Sequence, residues 1–261
     1  MISTIIIATF LLIVIFLFLQ QIYNNRWKTP KKDTPIHWAP LLIEHVPFYE
    51  DLSESKRKQF EYKIQEFLLN TTISGVKTEV TELDEILIAS SAIIPIFSFK
   101  DWKYQNLTEI LLYPNAFNQN FDLTGPDRRI LGMVGSGFME GKMILSKEAL
   151  HHGFKNETDK HNTAIHEFIH ILDKEDGEID GIPAVLLEKQ YVLPWMQMVL
   201  EKITEIRKQQ HKDINPYGAT NQAEFFAVIG TYFFERPKLL RRKHPELYKL
   251  LCEIFDTSTS K

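Results

Sequence analysis

The sequence predicts an α+β fold, mainly helical with a small sheet, preceded by one N-terminal transmembrane helix. Three observations carry that expectation. Residues Ile2 to Leu19 are apolar apart from Ser3, Thr4 and Thr9. Beyond residue 50, helical apolar spacing dominates, and the strand-like runs are few and short. Ala164 to Asp173 is apolar around two histidines and an acid, as an interior helix would be.

At ~1.5 Å per residue the first apolar run reaches about 27 Å, just enough to span a thin hydrocarbon core. A secretory signal would have a basic start, a shorter apolar stretch and a small-residue cleavage site. Here Phe-Leu-Phe-Leu-Gln-Gln offers no such site. Arg26, Lys28, Lys31 and Lys32 follow, opposed nearby only by Asp33. The positive-inside rule therefore places the remainder in the cytoplasm, as a single-pass membrane protein. The competing reading is an uncleaved or unusual export signal. The expected division is a membrane helix over 1–20, a basic linker over 21–37 lying along the anionic bilayer face, and a folded domain over 38–256.

Trp38 to Tyr49, with two prolines and several large apolar residues, reads as irregular chain packed on the domain. Ser53-Glu54-Ser55-Lys56 starts a helix, with Phe60, Ile64, Phe67 and Leu68 at helical spacing. Gly75 to Thr81 alternates and reads as a short strand. Leu83 to Ile94 reads as a buried helix closed by Pro95, and Glu109 to Tyr113 as a buried strand. Arg129 to Phe138 and Gly141 to Ser146, split by Met139-Glu140, suggest a hairpin. His151 to Asn162 reads as polar loop ending at the Asn162-Thr163 cap. Leu186 to Gln210 is a long helix around Pro194, Asn221 to Phe234 another, and Pro237 to Phe255 supplies the last helical segments.

Hydrophobic residues at 44% and charged residues at 25% suit an ordinary globular core. A formal net charge of -4 leaves no basic footprint for nucleic acid, so no direct nucleic-acid binding is expected. The one cysteine, Cys252, cannot form an intrachain disulfide and reads as a small buried hydrophobe.

The chemistry lies in Ala164 to Asp173. On a helix, positions i and i+4 share a face, so His166 and His170 can point at one ion. Glu167 stands about 100° round, where its carboxylate can reach a water without ligating the metal. Zinc suits two neutral imidazoles and keeps a position open in catalytic sites. These residues point to a zincin-type metallopeptidase domain with Zn2+ as cofactor. A third ligand is needed. Glu224, an acid in an otherwise apolar helix, is the leading candidate. Asp173, three residues past His170, competes, or it orients a histidine or caps the helix end. The remaining histidines, His37, His45, His151, His152, His161, His211 and His244, read as surface residues.

The chain resembles the Mlc titration factor A family of zinc peptidases from about Trp38 to Phe255. The resemblance rests on Ile110 to Pro114, Gly141 to Ser146, Asn162 to Asp173, Asp180-Gly181-Ile182-Pro183, Pro216-Tyr217-Gly218-Ala219, Ala223 to Val228 and Tyr232 to Glu235. It implies zinc held by His166, His170 and Glu224, with Glu167 as general base and Tyr217 facing the site. It also implies a fold like the catalytic domain of anthrax lethal factor. The best-known members are soluble, so the apolar N-terminus is an addition here.

The expected activity is hydrolysis of a peptide or protein substrate by metal-activated water at a membrane-tethered site, with aminopeptidase-like activity within its range. Tyr217 would hydrogen-bond the oxyanion, unless it merely packs in the turn after Pro216. The rival is a regulatory protein that binds a transcriptional repressor of sugar uptake, as the resemblance implies, with peptidase activity secondary.

Overall fold

A computed structural model describes residues 27–156, 159–210 and 212–255. The expected membrane helix and the first part of the basic linker lie outside these. Among the described residues no helix is long and apolar enough to cross a membrane.

The described chain is mainly helical with one small four-stranded sheet. Helices α1 (Trp38–His45) and α2 (Pro47–Glu50) lead into α3 (Glu54–Asn70) and strand β1 (Thr72–Gly75). Then follow α4 (Glu82–Ile96), β2 (Glu109–Tyr113), β3 (Gly132–Val134), β4 (Lys142–Ser146) and α5 (Lys147–Lys155). The C-terminal half is α6 (Thr163–Asp173), α7 (Lys189–Arg207), α8 (Gln222–Glu235), α9 (Pro237–Lys243) and α10 (Pro245–Ile254).

The sheet order is β1-β2-β4-β3, with β1, β2 and β4 parallel and β3 antiparallel to β4. Gly132 pairs with Leu145 and Val134 with Met143, so β3 is an edge. The pleat separates two cores. Ile110, Leu112, Met143 and Leu145 join the main core, whereas Tyr113, Phe117 and Ile144 form a second small cluster with Leu111 and Met133. Helix α4 is buried from Ile86 to Ile96 and packs on both α3 and α6. Its Thr81–Asp84 capping box satisfies the first-turn donors.

Five expectations need correction. Trp38 to Tyr49 is helical, because Pro40 and Pro47 fall in first turns, where a missing N–H costs nothing. The first strand is Thr72–Gly75, not Gly75 to Thr81. Gly75 turns so tightly that a β-carbon there would lie 2.1 Å from the Thr78 carbonyl oxygen. The first part of the expected loop, residues 151–155, instead continues α5, which Ser146 caps by accepting from Ala149 N–H at 3.2 Å. His244 is buried rather than on the surface, and His151 is half-buried against Asp84. Pro95 lies inside the last turn of α4 instead of closing it from outside.

Candidate metal centre

Asn162 starts α6 by accepting from the Ile165 N–H at 3.1 Å. The helix packs on α4, α8 and β3, which buries Glu167, Phe168, Ile169 and His170 together. Helix α8 starts the same way, Asn221 accepting from the Glu224 N–H at 2.8 Å. Glu224 therefore sits in the first turn of α8, facing α6.

There the sequence-expected residues meet. His166 Nε2 lies 3.1 Å from Glu224 Oε2, His170 Nε2 lies 3.4 Å from the same oxygen, and the two Nε2 atoms are 3.2 Å apart. A tetrahedral zinc with bonds of about 2.0–2.1 Å needs donors roughly 3.3 Å apart. The donor set and its edges fit such an ion. Among the described residues, His166, His170 and Glu224 form the one group of this kind able to hold a metal.

Electrostatics follow from burial and proximity. Burial opposes ionisation of Glu224, but hydrogen bonds from His166 and His170 overcome it and hold the carboxyl far below its usual range. Burial disfavours the His170 imidazolium, yet Glu224, Glu167 and Asp173 together raise its pKa. Glu167 is shifted oppositely to Glu224: burial raises its pKa, against the opposing pull of His166, His170 and the Val134 backbone. A carboxyl raised toward neutrality is suited to proton transfer.

Glu167 lies against β3. A β-carbon on Gly132 would come within 2.6 Å of Glu167 Cγ and 2.7 Å of Oε1. Tyr217 sits in the 3-10 turn Pro216–Ala219, half exposed, its ring 6.1 Å from that of His166. Its hydroxyl pKa is pushed up to about 12 by burial and by Glu224, so it remains a donor at neutral pH.

Asp173, the rival third ligand, stands apart from this group. Its Oδ2 accepts from Gly181 N–H at 2.8 Å, and burial pushes its pKa up to about 7. Gly181 in turn accepts from Trp195 Nε1 at 2.7 Å. Its φ of +80° and close approach to Gln222 demand glycine, since a β-carbon would lie 2.3 Å from the Gln222 carbonyl oxygen. Asp173 thus braces the loop on which the start of α8 rests. Sequence reasoning missed Gly132 and Gly181 as site-shaping residues; only the Asp-Gly turn signal marked the second.

Known proteins are similar to this chain over most of its length. Residues 19–256 match the sequence profile of the glucose-regulated metallo-peptidase M90. An uncharacterized protein of Synechocystis sp., slr2042, is 32% identical over 236 residues, covering 86% of this chain and 85% of the relative. Mlc titration factor A of Pectobacterium atrosepticum is 25% identical over 248 residues, 89% of each chain. The protein of that name from Escherichia fergusonii is 26% identical over 246 residues, 88% of this chain and 89% of its own.

Proposed function

The chain belongs to the glucose-regulated metallo-peptidase M90 family, and from that premise we propose that it is a zinc peptidase of the zincin type. The convergence of two imidazole nitrogens and a carboxylate oxygen beside the buried Glu167 supports this reading most directly. His166, His170 and Glu224 would hold the ion. Zinc, when bound, polarises a carbonyl and makes water nucleophilic near neutral pH. Glu167 accepts a proton from the attacking water and later returns it to the leaving amine. Tyr217 donates its O–H to the substrate oxyanion, a contact that elsewhere contributes about 3–4 kcal/mol. The edge strand β3 passes Glu167 at Gly132, so an extended peptide can align beside it near the base.

The proposal extends to architecture. Residues 1–20 anchor the chain, 21–37 link it to the bilayer face, and 38–256 form the peptidase domain in the cytoplasm. A second reading comes from the relatives named Mlc titration factor A: binding of a regulatory partner, here a transcriptional repressor, with hydrolysis as companion or output. Glu167 beside the metal group favours the enzyme, because a pure binder has no use for a base there.

Metal analysis and digestion of a peptide library test the reading together. One zinc per chain, with cleavage lost in Glu167→Gln but zinc kept, is the expected result. General-base loss costs about 10²–10⁴-fold. Full activity in zinc-loaded Glu167→Gln would sink the mechanism and favour the regulatory binder.

A further inference from the structure

Tyr217 lies on a strap, residues 212–221, that joins α7 to α8 across the metal group. Both ends of the strap are tied down. At its exit Arg207 donates to the Ala219 carbonyl at 3.0 and 2.8 Å. At its entry Asp213 is a hub. Its Oδ2 accepts from Tyr232 Oη at 3.0 Å and from His244 Nε2 at 3.1 Å, and Lys243 Nζ lies 3.7 Å from Oδ1. The Asp213 carbonyl accepts from Lys160 Nζ at 2.7 Å, and that ammonium also lies over the Tyr232 ring.

On either side of Tyr217 the chain has little freedom. Asn215 touches His161 and accepts from the Tyr217 N–H at 3.0 Å, capping the turn. Gly218 is buried so close to α8 that a β-carbon would lie 3.2 Å from Val228 Cγ1. Tyr232 stands eight residues after Glu224 on α8, about 12 Å along its axis. One rigid helix thus carries the candidate ligand and the partner that pins the strap.

We propose that Asp213 is a positioning residue for Tyr217, holding the strap so that the phenol stays over the metal group. The proposal rests on the reading of Tyr217 as oxyanion donor. Burial raises the Asp213 pKa, but Tyr232, His244 and Lys243 more than offset this, so the anchor is an anion. Asp213→Asn keeps the shape and removes the charge that organises three donors.

The test uses the full zinc-loaded chain with 3-fluorotyrosine incorporated and fluorescein-labelled casein as substrate. The Tyr217 fluorine resonance is assigned by its loss in Tyr217→Phe. In Asp213→Asn that resonance should move or broaden, while zinc stays at one per chain. Phe60→Leu, a core change remote from the strap, should leave the resonance in place, separating positioning from general loosening. An unmoved resonance in Asp213→Asn overturns the proposal. In kinetics, Tyr217→Phe should lower kcat roughly 10²–10³-fold at unchanged KM, Asp213→Asn should lower it in the same way by a smaller factor, and the double variant should be no slower than Tyr217→Phe. Losses that multiply in the double variant would equally overturn it. Unchanged kcat in Tyr217→Phe would instead remove the catalytic reading of Tyr217, while the fluorine resonance still decides the positioning.

Discussion

Gly132 and Glu167 share one space: the strand passes where a side chain on residue 132 would collide with the Glu167 carboxylate. The edge strand and the proposed base are therefore fixed relative to each other by contact, not by sequence proximity. Gly132→Ala should push Glu167 aside without touching the metal group. Misplacing a catalytic group by about 1 Å costs on the order of 10²-fold. Zinc content should stay at one per chain while peptide hydrolysis falls by about that factor. Wild-type turnover in Gly132→Ala would show that the base tolerates displacement.

Glu224 and Asp173 are separable as third ligand. Glu224→Gln should keep the fold and lose zinc by more than ~100-fold in affinity, beyond the 10–100-fold that outer partners give. Asp173→Asn keeps an acceptor for Gly181 N–H and should retain the metal. Chelator competition on both variants decides, and the opposite ranking would make Asp173 the ligand.

Asp84 governs acid sensitivity away from the metal. It is fully buried and bonded to His151 at 2.6 Å, Lys147 at 2.8 Å and Thr81 N–H at 2.7 Å. Burial alone would raise its pKa; these donors, Lys147 foremost, take it below the ordinary value. A depressed acid stabilises the fold above its unfolded pKa of about 3.9 and loses that contribution as pH falls toward the folded value. Asp84→Asn should be less stable by about 3–5 kcal/mol near neutral pH. Its deficit should shrink as urea unfolding is repeated from about pH 5 down to pH 3. A deficit independent of pH would mean the carboxylate charge is not the source.

The proposed tether gives a topological prediction from Ile2 to Leu19 and the cations Arg26, Lys28, Lys31 and Lys32. Carbonate washing should leave the protein with membranes, and protease outside intact cells should spare a C-terminal tag. A tag digested from outside reverses the orientation. A mature protein lacking the apolar run makes it an export signal.

The sequence by itself determined the helix from Thr163 to Asp173 and the common face of His166 and His170, because a helix repeats its geometry within five residues. It also marked Glu224, since an ionisable side chain in an apolar helix needs a partner. Proline misled at Trp38 to Tyr49, where its position within the turn, not its presence, decides helix formation. The same local view turned the end of α5 into loop and put His244 at the surface. Only the tertiary structure brought Glu224 to the histidines, assigned Asp173 to Gly181, and set Gly132 against Glu167. Those relations join residues 8 to 58 positions apart. They depend on how α6, α8 and the edge strand pack, and packing is a property of facing surfaces that no local pattern encodes.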